Sequence, residues 1–357
     1  MWKTAPILIS ATLKNGSNKM KLEDSLRDQI KELDIKKPQH ALLVKQILEY
    51  WAYLKDTGIN NRLLQDLVFK YSSAEKKLKQ LNQELLEKQK RLDEDLAAAA
   101  EIQKSLLPLK VDSAENLEVA WKFEPCEHMG GDIFNLFQLD DAHWGIYMLD
   151  VSGHGVQAAM VTVSVSQFLQ PNSGHLFSRK SGKSSSTQVF KTPAEVLAAL
   201  NSEFPFERFN NFFTITYMII NTKSGDLIYS NAGHPHSIVL RKDGKMELLK
   251  SGGPAIGIGD LRPLDGQQDR YAEGRLHLAA GDTLFIYTDG IVDYQNPKGE
   301  FYGTDRFYQT LESLQGESVP GIVEKVFRSL MDFGHKAEPM DDITLLGLEL
   351  KKTVTKG

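Results

Sequence analysis

A sheet-rich α+β fold behind a helical N-terminal third is what this chain predicts, and three patterns predict it. Apolar residues recur near a 3.5-residue spacing from Tyr71 to Leu106 and then alternate with a period of two in several segments after Pro108. Between those segments four stretches return to helical spacing.

The helical part comes first. Residues 21–70 place Leu42, Leu43, Ile47, Leu48 and Trp51 on one face, and Leu63, Leu64, Leu67 and Val68 follow a turn at Gly58. Residues 1–70 are therefore read as a small helical domain. Across 71–108 the apolar positions are Tyr71, Ala74, Leu78, Leu81, Leu85, Leu92, Ala99, Ile102 and Leu106, with mostly Lys, Glu and Gln between them. That is the spacing of a coiled-coil helix. An isolated helix cannot bury such a seam, so it is expected to pair with a second copy as a parallel dimer, or else to pack on neighbouring helices. Lys88 and Asp95 interrupt the seam, which suits a weak coil or a register shift. Pro108 stops it.

Residues 115–351 carry the strands. Segments 117–123, 144–149, 212–220, 227–230, 237–240, 283–287 and 343–350 are predicted β, separated by turn signals such as Ser224-Gly225-Asp226 and Lys242-Asp243-Gly244. Segments 157–170, 193–203, 305–314 and 320–333 are predicted helical. The Ser/Lys/Gly-rich run 171–191 has little apolar content and is expected to be a mobile surface loop, either a tolerated insertion or a substrate-contacting flap.

Composition narrows the function classes. The 357 residues suffice for two or three units. With 42 basic against 47 acidic residues and a net charge of -5, no general attraction to nucleic acid or anionic lipid is built in. Cys126 is the only cysteine, so no intrachain disulfide forms; a reducing, cytoplasmic setting and a structural role are expected. The apolar stretch 5–13 is too short to span a membrane and reads as a buried strand or tail, and no other run approaches the length a span needs. A soluble protein with no membrane partner is the expectation.

Four acidic clusters sit beside glycine at predicted strand ends: Gly130-Gly131-Asp132, Asp150-Val151-Ser152-Gly153-His154-Gly155, Thr288-Asp289-Gly290 and Asp341-Asp342. Any one of them is ordinary turn chemistry. Together in one sheet domain they read differently, because converging carboxylates repel unless a hard divalent cation neutralises them. Oxygen donors of this kind suit magnesium or manganese better than zinc. The Gly-Gly-Asp step also occurs in diguanylate cyclases followed by Glu-Phe; here Ile133-Phe134 follows, without the second acid, and a strand turn fits better.

The ordered set of six motifs is similar to the SpoIIE/RsbU-like branch of the metal-dependent (PPM) serine/threonine protein phosphatase superfamily. Its marks are Ala100-Glu101-Ile102-Gln103 with Leu106-Leu107-Pro108, the Gly-Gly-Asp and Asp150 to Gly155 clusters, Asn231-Ala232-Gly233-His234-Pro235, Tyr287-Thr288-Asp289-Gly290, and Asp341-Asp342-Ile343-Thr344. The resemblance implies an α-β-β-α sandwich, two Mn2+ or Mg2+ ions at one edge, and removal of phosphate from serine or threonine of a partner. For that partner it implies a small phosphorylated, STAS-like anti-sigma-factor antagonist. Asp132, Asp150 and Asp289 would be the catalytic acids. Asp150 would bridge the metals, Asp289 and Asp341 would complete one site, the family pattern favouring Asp341 over its neighbour Asp342 where the residues alone do not decide, and Asp132 with the Val151 carbonyl would serve the other. Two such ions would make hydroxide available near neutral pH and stabilise the phosphoryl oxygens. Many relatives carry an acid where this chain has Asn135, which puts the affinity of the second metal in question. His154, His234 and His236 read as loop-holding residues rather than acids.

Because the first motif ends the seam, the helix is expected to enter the catalytic domain without a flexible linker. An activator acting on the N-terminal domain would then bias completion of the metal site. Two other readings are a pseudo-phosphatase that binds a phosphoprotein without turnover, and a coiled-coil adaptor whose acids are plain turns.

Overall fold

A computed structural model of the chain describes residues 61–108, 116–181, 186–258, 270–335 and 337–351, together with Lys45 and Glu49. The apolar run 5–13 and most of the predicted helical domain lie outside the described residues. Two compact units divide at Asp93, Met1–Asp93 and Glu94–Gly357. Helix α1 (Asn61–Lys104) carries the predicted seam. In the first unit Leu78, Leu81, Leu85 and Leu92 of that seam are exposed. Local pairs run along the helix surface, with Lys70 2.7 Å from Asp66 and Gln80 and Gln83 donating to Glu84 and Glu87. Each such pair contributes about 0.3–0.5 kcal/mol.

The second unit is an α-β-β-α sandwich. In chain order it comprises β1 (Leu117–Glu124), β2 (Asp132–Gln138), β3 (His143–Val151), α2 (Gly155–Phe168), β4 (Phe177–Ser181), β5 (Ser186–Phe190), α3 (Pro193–Glu203), a single turn α4 (Phe206–Phe209), β6 (Phe213–Asn221) and β7 (Asp226–Ala232). The short β8 (Ile238–Leu240), β9 (Met246–Leu248), β10 (Gly252–Gly253) and β11 (Gly274–His277) follow, then β12 (Thr283–Tyr287), α5 (Thr304–Ser313), α6 (Val319–Phe333) and β13 (Ile343–Leu350). One sheet runs β1-β13-β12-β8-β9; the other runs β10-β7-β6-β3-β2, with β11 also on β7.

Strand alternation sorts the core into three layers. Phe134, Leu136, Ile146, Met148 and Met218 of one sheet meet Leu284, Ile286, Leu346 and Leu348 of the other between the sheets. The alternate residues Ile133, Tyr147, Leu149, Ile215 and Tyr217 face α2 and α3. Phe285, Tyr287, Ile343 and Leu345 face α5 and α6. Helix starts follow their capping residues: Thr192 and Glu195 form a reciprocal capping box on α3, and Ser318 caps α6.

Residues 171–191 differ from the expected mobile loop. Phe177 pairs with Phe190 at the base of a β4–β5 hairpin, and both rings pack on the core beside buried Leu176. Apolar residues at the two ends of the run close it, although its middle is polar. The seam expectation also divides within the second unit, where Ala99 packs beside Ala100, Met129 and Ala159, and Leu106 against the sandwich core. Those two positions are used by the sandwich itself.

Candidate metal centre

Antiparallel pairing brings the acids to one end of the sandwich. Asp132 opens β2 and is the register partner of Asp150, near the end of β3. Asp289 follows β12, in a short turn Asp289–Ile291, and Asp341-Asp342 leads directly into β13, the antiparallel neighbour of β12. Four distant stretches therefore end at one rim.

The carboxylates feel one another. Burial, then the charges of Asp150 and Asp342, push Asp132 well above the usual carboxylate range. Burial, then Asp289, Asp341 and Asp342, push Asp150 up to about 8. Asp289 is raised by burial and then by Asp341 and Asp293, and Asp341 is raised mainly by burial. Asp150 is thus coupled to all of the other predicted acids. Without a cation it is unfavourable for these groups to be ionised together, a cost that a divalent ion would relieve. Among the described residues no three His, Cys, Asp or Glu side chains close into a ready-made cage. The donor chemistry fits a hard cation: every candidate ligand is an oxygen. Cys126 is no soft ligand, since burial and then Asp342 push its thiol up to about 12.

The loops are shaped for close approach. A β-carbon on Gly131 would lie 2.8 Å from the Val151 carbonyl oxygen, and one on Gly130 would fall on the Asp342 carboxylate. Asp341 and Asp342, equivalent by sequence, differ sharply here. Asp341 keeps solvent access at the rim although its neighbours partly desolvate the carboxyl, whereas Asp342 is 3% exposed and accepts from the backbone N–H of Gly131 (2.5 Å), Cys126 (2.9 Å) and Asp132 (3.2 Å). Its carboxylate clamps the Gly-Gly-Asp turn. Two further groups hold that turn: Gln103 at the end of α1 donates to the Gly130 carbonyl and accepts from its N–H, and Thr162 of α2 donates to the Gly131 carbonyl.

The histidines separate as well. His234 is buried, hydrogen-bonded through Nδ1 to Thr214 at 2.8 Å, and its backbone is clasped by the Asn231 amide. Burial pushes its pKa down to about 3, so the ring is neutral. His236 is exposed. His154 caps the start of α2 and pairs with Glu127 at 2.8 Å. Asn135 is not at the rim. It lies opposite Tyr147 on the helix-facing side of β2, where its side-chain oxygen accepts from the Leu136 N–H. Strand alternation puts it on the other face from Asp132, so the substitution does not bear on the acid set.

Sequence reasoning named the acids but missed Gln103, Thr162, Thr288 and Thr344 as parts of the centre. Gln103, Thr288 and Thr344 stood inside quoted motifs without a role, and Thr162 on α2 carries no signal of its own.

A family model described as Stage II sporulation protein E (SpoIIE) matches residues 140–351. Among curated proteins, Protein IcfG of Synechocystis sp. is 26% identical over 71% of this chain and 41% of its own length. The phosphoserine phosphatase RsbP of Bacillus subtilis is 26% identical over 72% of this chain and 58% of its own length. The chain thus spans about half the length of these two relatives. Among solved structures, the SiaA-PP2C domain of Pseudomonas aeruginosa superposes with a TM-score of 0.59 at 22% identity, covering 74% of this chain and 98% of that domain.

Proposed function

Since the chain belongs to the SpoIIE family, we propose that it is a metal-dependent protein-serine/threonine phosphatase that uses two Mn2+ or Mg2+ ions. The observation that carries the proposal is the convergence of Asp132, Asp150, Asp289 and Asp341 on one rim of the sandwich through strand register. In this reading Asp150 bridges, Asp289 and Asp341 complete one site, and Asp132 with the Val151 carbonyl serves the other. Asp342 is assigned the clamp role that its three backbone donors support, in place of a ligand role.

When bound, the cations supply the activated water and the charge that stabilises a transferring phosphoryl group. The chain's own residues do the positioning. Asp342, Gln103 and Thr162 fix the Gly-Gly-Asp turn, so that Asp132 faces Asp150 across one strand pair. Glu127 holds His154 at the mouth of the rim.

The substrate we assign is a small phosphorylated regulator of the STAS-like, anti-sigma-antagonist kind, in a cytoplasmic setting without nucleic acid. No helix among the described residues is long and apolar enough to cross a membrane. The exposed leucines of α1 support pairing with a second copy, and an activator acting on the N-terminal region would bias completion of the metal site. The alternative reading is phosphoprotein binding without turnover. Phosphate release from a phosphoserine protein of that class in the presence of Mn2+, compared with Asp150→Asn, decides between them. Release that depends on Mn2+ and on Asp150 supports the enzyme; none from the full chain favours the binding protein.

A further inference from the structure

Two buried threonines on one sheet reach the acid that opens the other. Thr344 Oγ1 donates to Asp132 Oδ2 at 2.5 Å, and Thr288 Oγ1 donates to the same oxygen at 2.8 Å. The Thr288 hydroxyl lies farther, 3.3 Å, from its alternative acceptor, the Asp342 carbonyl. It also accepts from the Thr344 backbone N–H at 3.1 Å, while the Thr288 N–H donates to the Thr344 carbonyl at 3.1 Å. The two residues are therefore locked to each other before they reach the aspartate. Both are at most 1% exposed, and the same carboxylate oxygen is the nearest acceptor of each hydroxyl. Among the described residues no donor reaches Asp132 Oδ1.

Such one-sided satisfaction is unusual for a buried carboxylate, which ordinarily gathers donors on both oxygens. Here Oδ2 is saturated from the neighbouring sheet and Oδ1 is left over. We propose that Thr288 and Thr344 are positioning residues for metal binding: their paired hydroxyls fix the Asp132 side chain so that Oδ1 is presented to the cation. The inference rests on the metal-dependent reading above and goes beyond it, since neither threonine is a ligand. The physical reason is the one that governs groups behind any metal ligand. A carboxylate held by hydrogen bonds loses less rotational freedom on coordination, and the outer partners typically account for about 10–100-fold in affinity. A valine in place of either threonine preserves shape but removes one of the two hydroxyls, leaving Oδ2 with a single donor and the rotamer less firmly held.

The test measures Mn2+ binding to the full chain by the loss of free Mn2+ signal in electron paramagnetic resonance, with thermal melting as a check on folding. Thr344→Val is expected to weaken binding about tenfold or more, Thr288→Val somewhat less because its hydroxyl is shared with the Asp342 carbonyl, and Thr344→Ser to stay within about threefold of the native chain. Raising Mn2+ to saturation is expected to restore most phosphate release in Thr344→Val, separating a loss of affinity from a loss of chemistry. Should Thr344→Val fail to fold, Thr288→Val and Thr344→Ser still carry the comparison. Unchanged affinity in the folded valine variants overturns the proposal, and so does a serine variant as weak as valine. A native chain that binds no Mn2+ overturns this proposal together with the phosphatase reading, whereas native binding that both valine variants share overturns the threonine role alone.

Discussion

The two ends of β12 each carry an aspartate, and they live in opposite electrostatic conditions. Asp282, just before the strand, is 4% exposed, yet its carboxyl lies below the ordinary range. Burial alone would raise it, but the Arg241 guanidinium at 2.8 Å and the backbone N–H groups of Lys242 and Ala279 more than offset that. Asp289, just after the strand, is raised by burial and by the acids beside it. One end is a finished polar cluster, completed further by Glu247 on Arg241. The other has its acids assembled against one another, opposed at Asp341 by the nearby His154 ring and by no salt-bridged arginine or lysine among the described residues. Folding that rim costs free energy which a bound ion would offset, whereas the Arg241 end is self-sufficient.

The largest effect that would sharpen this contrast is at Asp150. Asp150→Asn is expected to reduce phosphate release by about 1,000-fold or more while leaving the metal-free protein at least as stable as the native chain above pH 8, where the amide carries no charge to repel Asp289 and Asp341. Phosphate assays and thermal melts on the same samples check both halves. At the other end the pattern inverts: Arg241→Ala is expected to cost roughly 2 kcal/mol by leaving Asp282 unpaired, with turnover per folded molecule unchanged. Urea unfolding measures the loss, and a variant as stable as the native chain would break the comparison.

Acidity separates the two ends more gently. Asp150 holds its proton in the metal-free fold up to about 8, against about 4 in the unfolded chain. Its raised pKa therefore contributes stability that is full below the unfolded value and is lost as pH climbs towards 8. Metal-free protein is expected to melt lower at pH 8 than at pH 6, and added Mn2+ to raise the melting temperature more at pH 8. The lowered pKa of Asp282 acts in the other sense, contributing at neutral pH and fading only as the solution becomes acidic. A melting temperature that Mn2+ shifts equally at both pH values would contradict the account. The smallest effect is at Asn135: Asn135→Asp is expected to change Mn2+ affinity by less than about twofold, since the side chain lies on the other face of β2 from Asp132. Calorimetric titration reads that directly.

Much of this was legible in the sequence, for reasons that differ from residue to residue. Phe285 and Tyr287 alternating with Leu284 and Ile286 announced a strand buried on both sides, and the acids announced themselves because each stands beside glycine at a strand end. Strand β2 escaped notice, since Asp132-Ile133-Phe134-Asn135 follows a Gly-Gly step that reads as a turn. The β4–β5 hairpin escaped because its apolar pair, Phe177 and Phe190, is separated by a polar stretch. Residues alone left adjacent Asp341 and Asp342 unresolved until backbone more than 200 positions away in the chain supplied three donors to Asp342, two from the Gly-Gly-Asp turn and one from Cys126. Thr288 and Thr344 look like any strand threonine, because what makes them matter is an acid on the opposite sheet. Local pattern records the element; a contact between sheets leaves no local trace.

The central claim is that the rim acids gather divalent cations around Asp150. Anomalous diffraction at the manganese edge, from crystals of the full chain grown with Mn2+, tests it most directly. The account predicts two peaks flanking Asp150, one towards Asp289 and Asp341 and the other towards Asp132. Manganese bound elsewhere, or a rim without a peak, would contradict it.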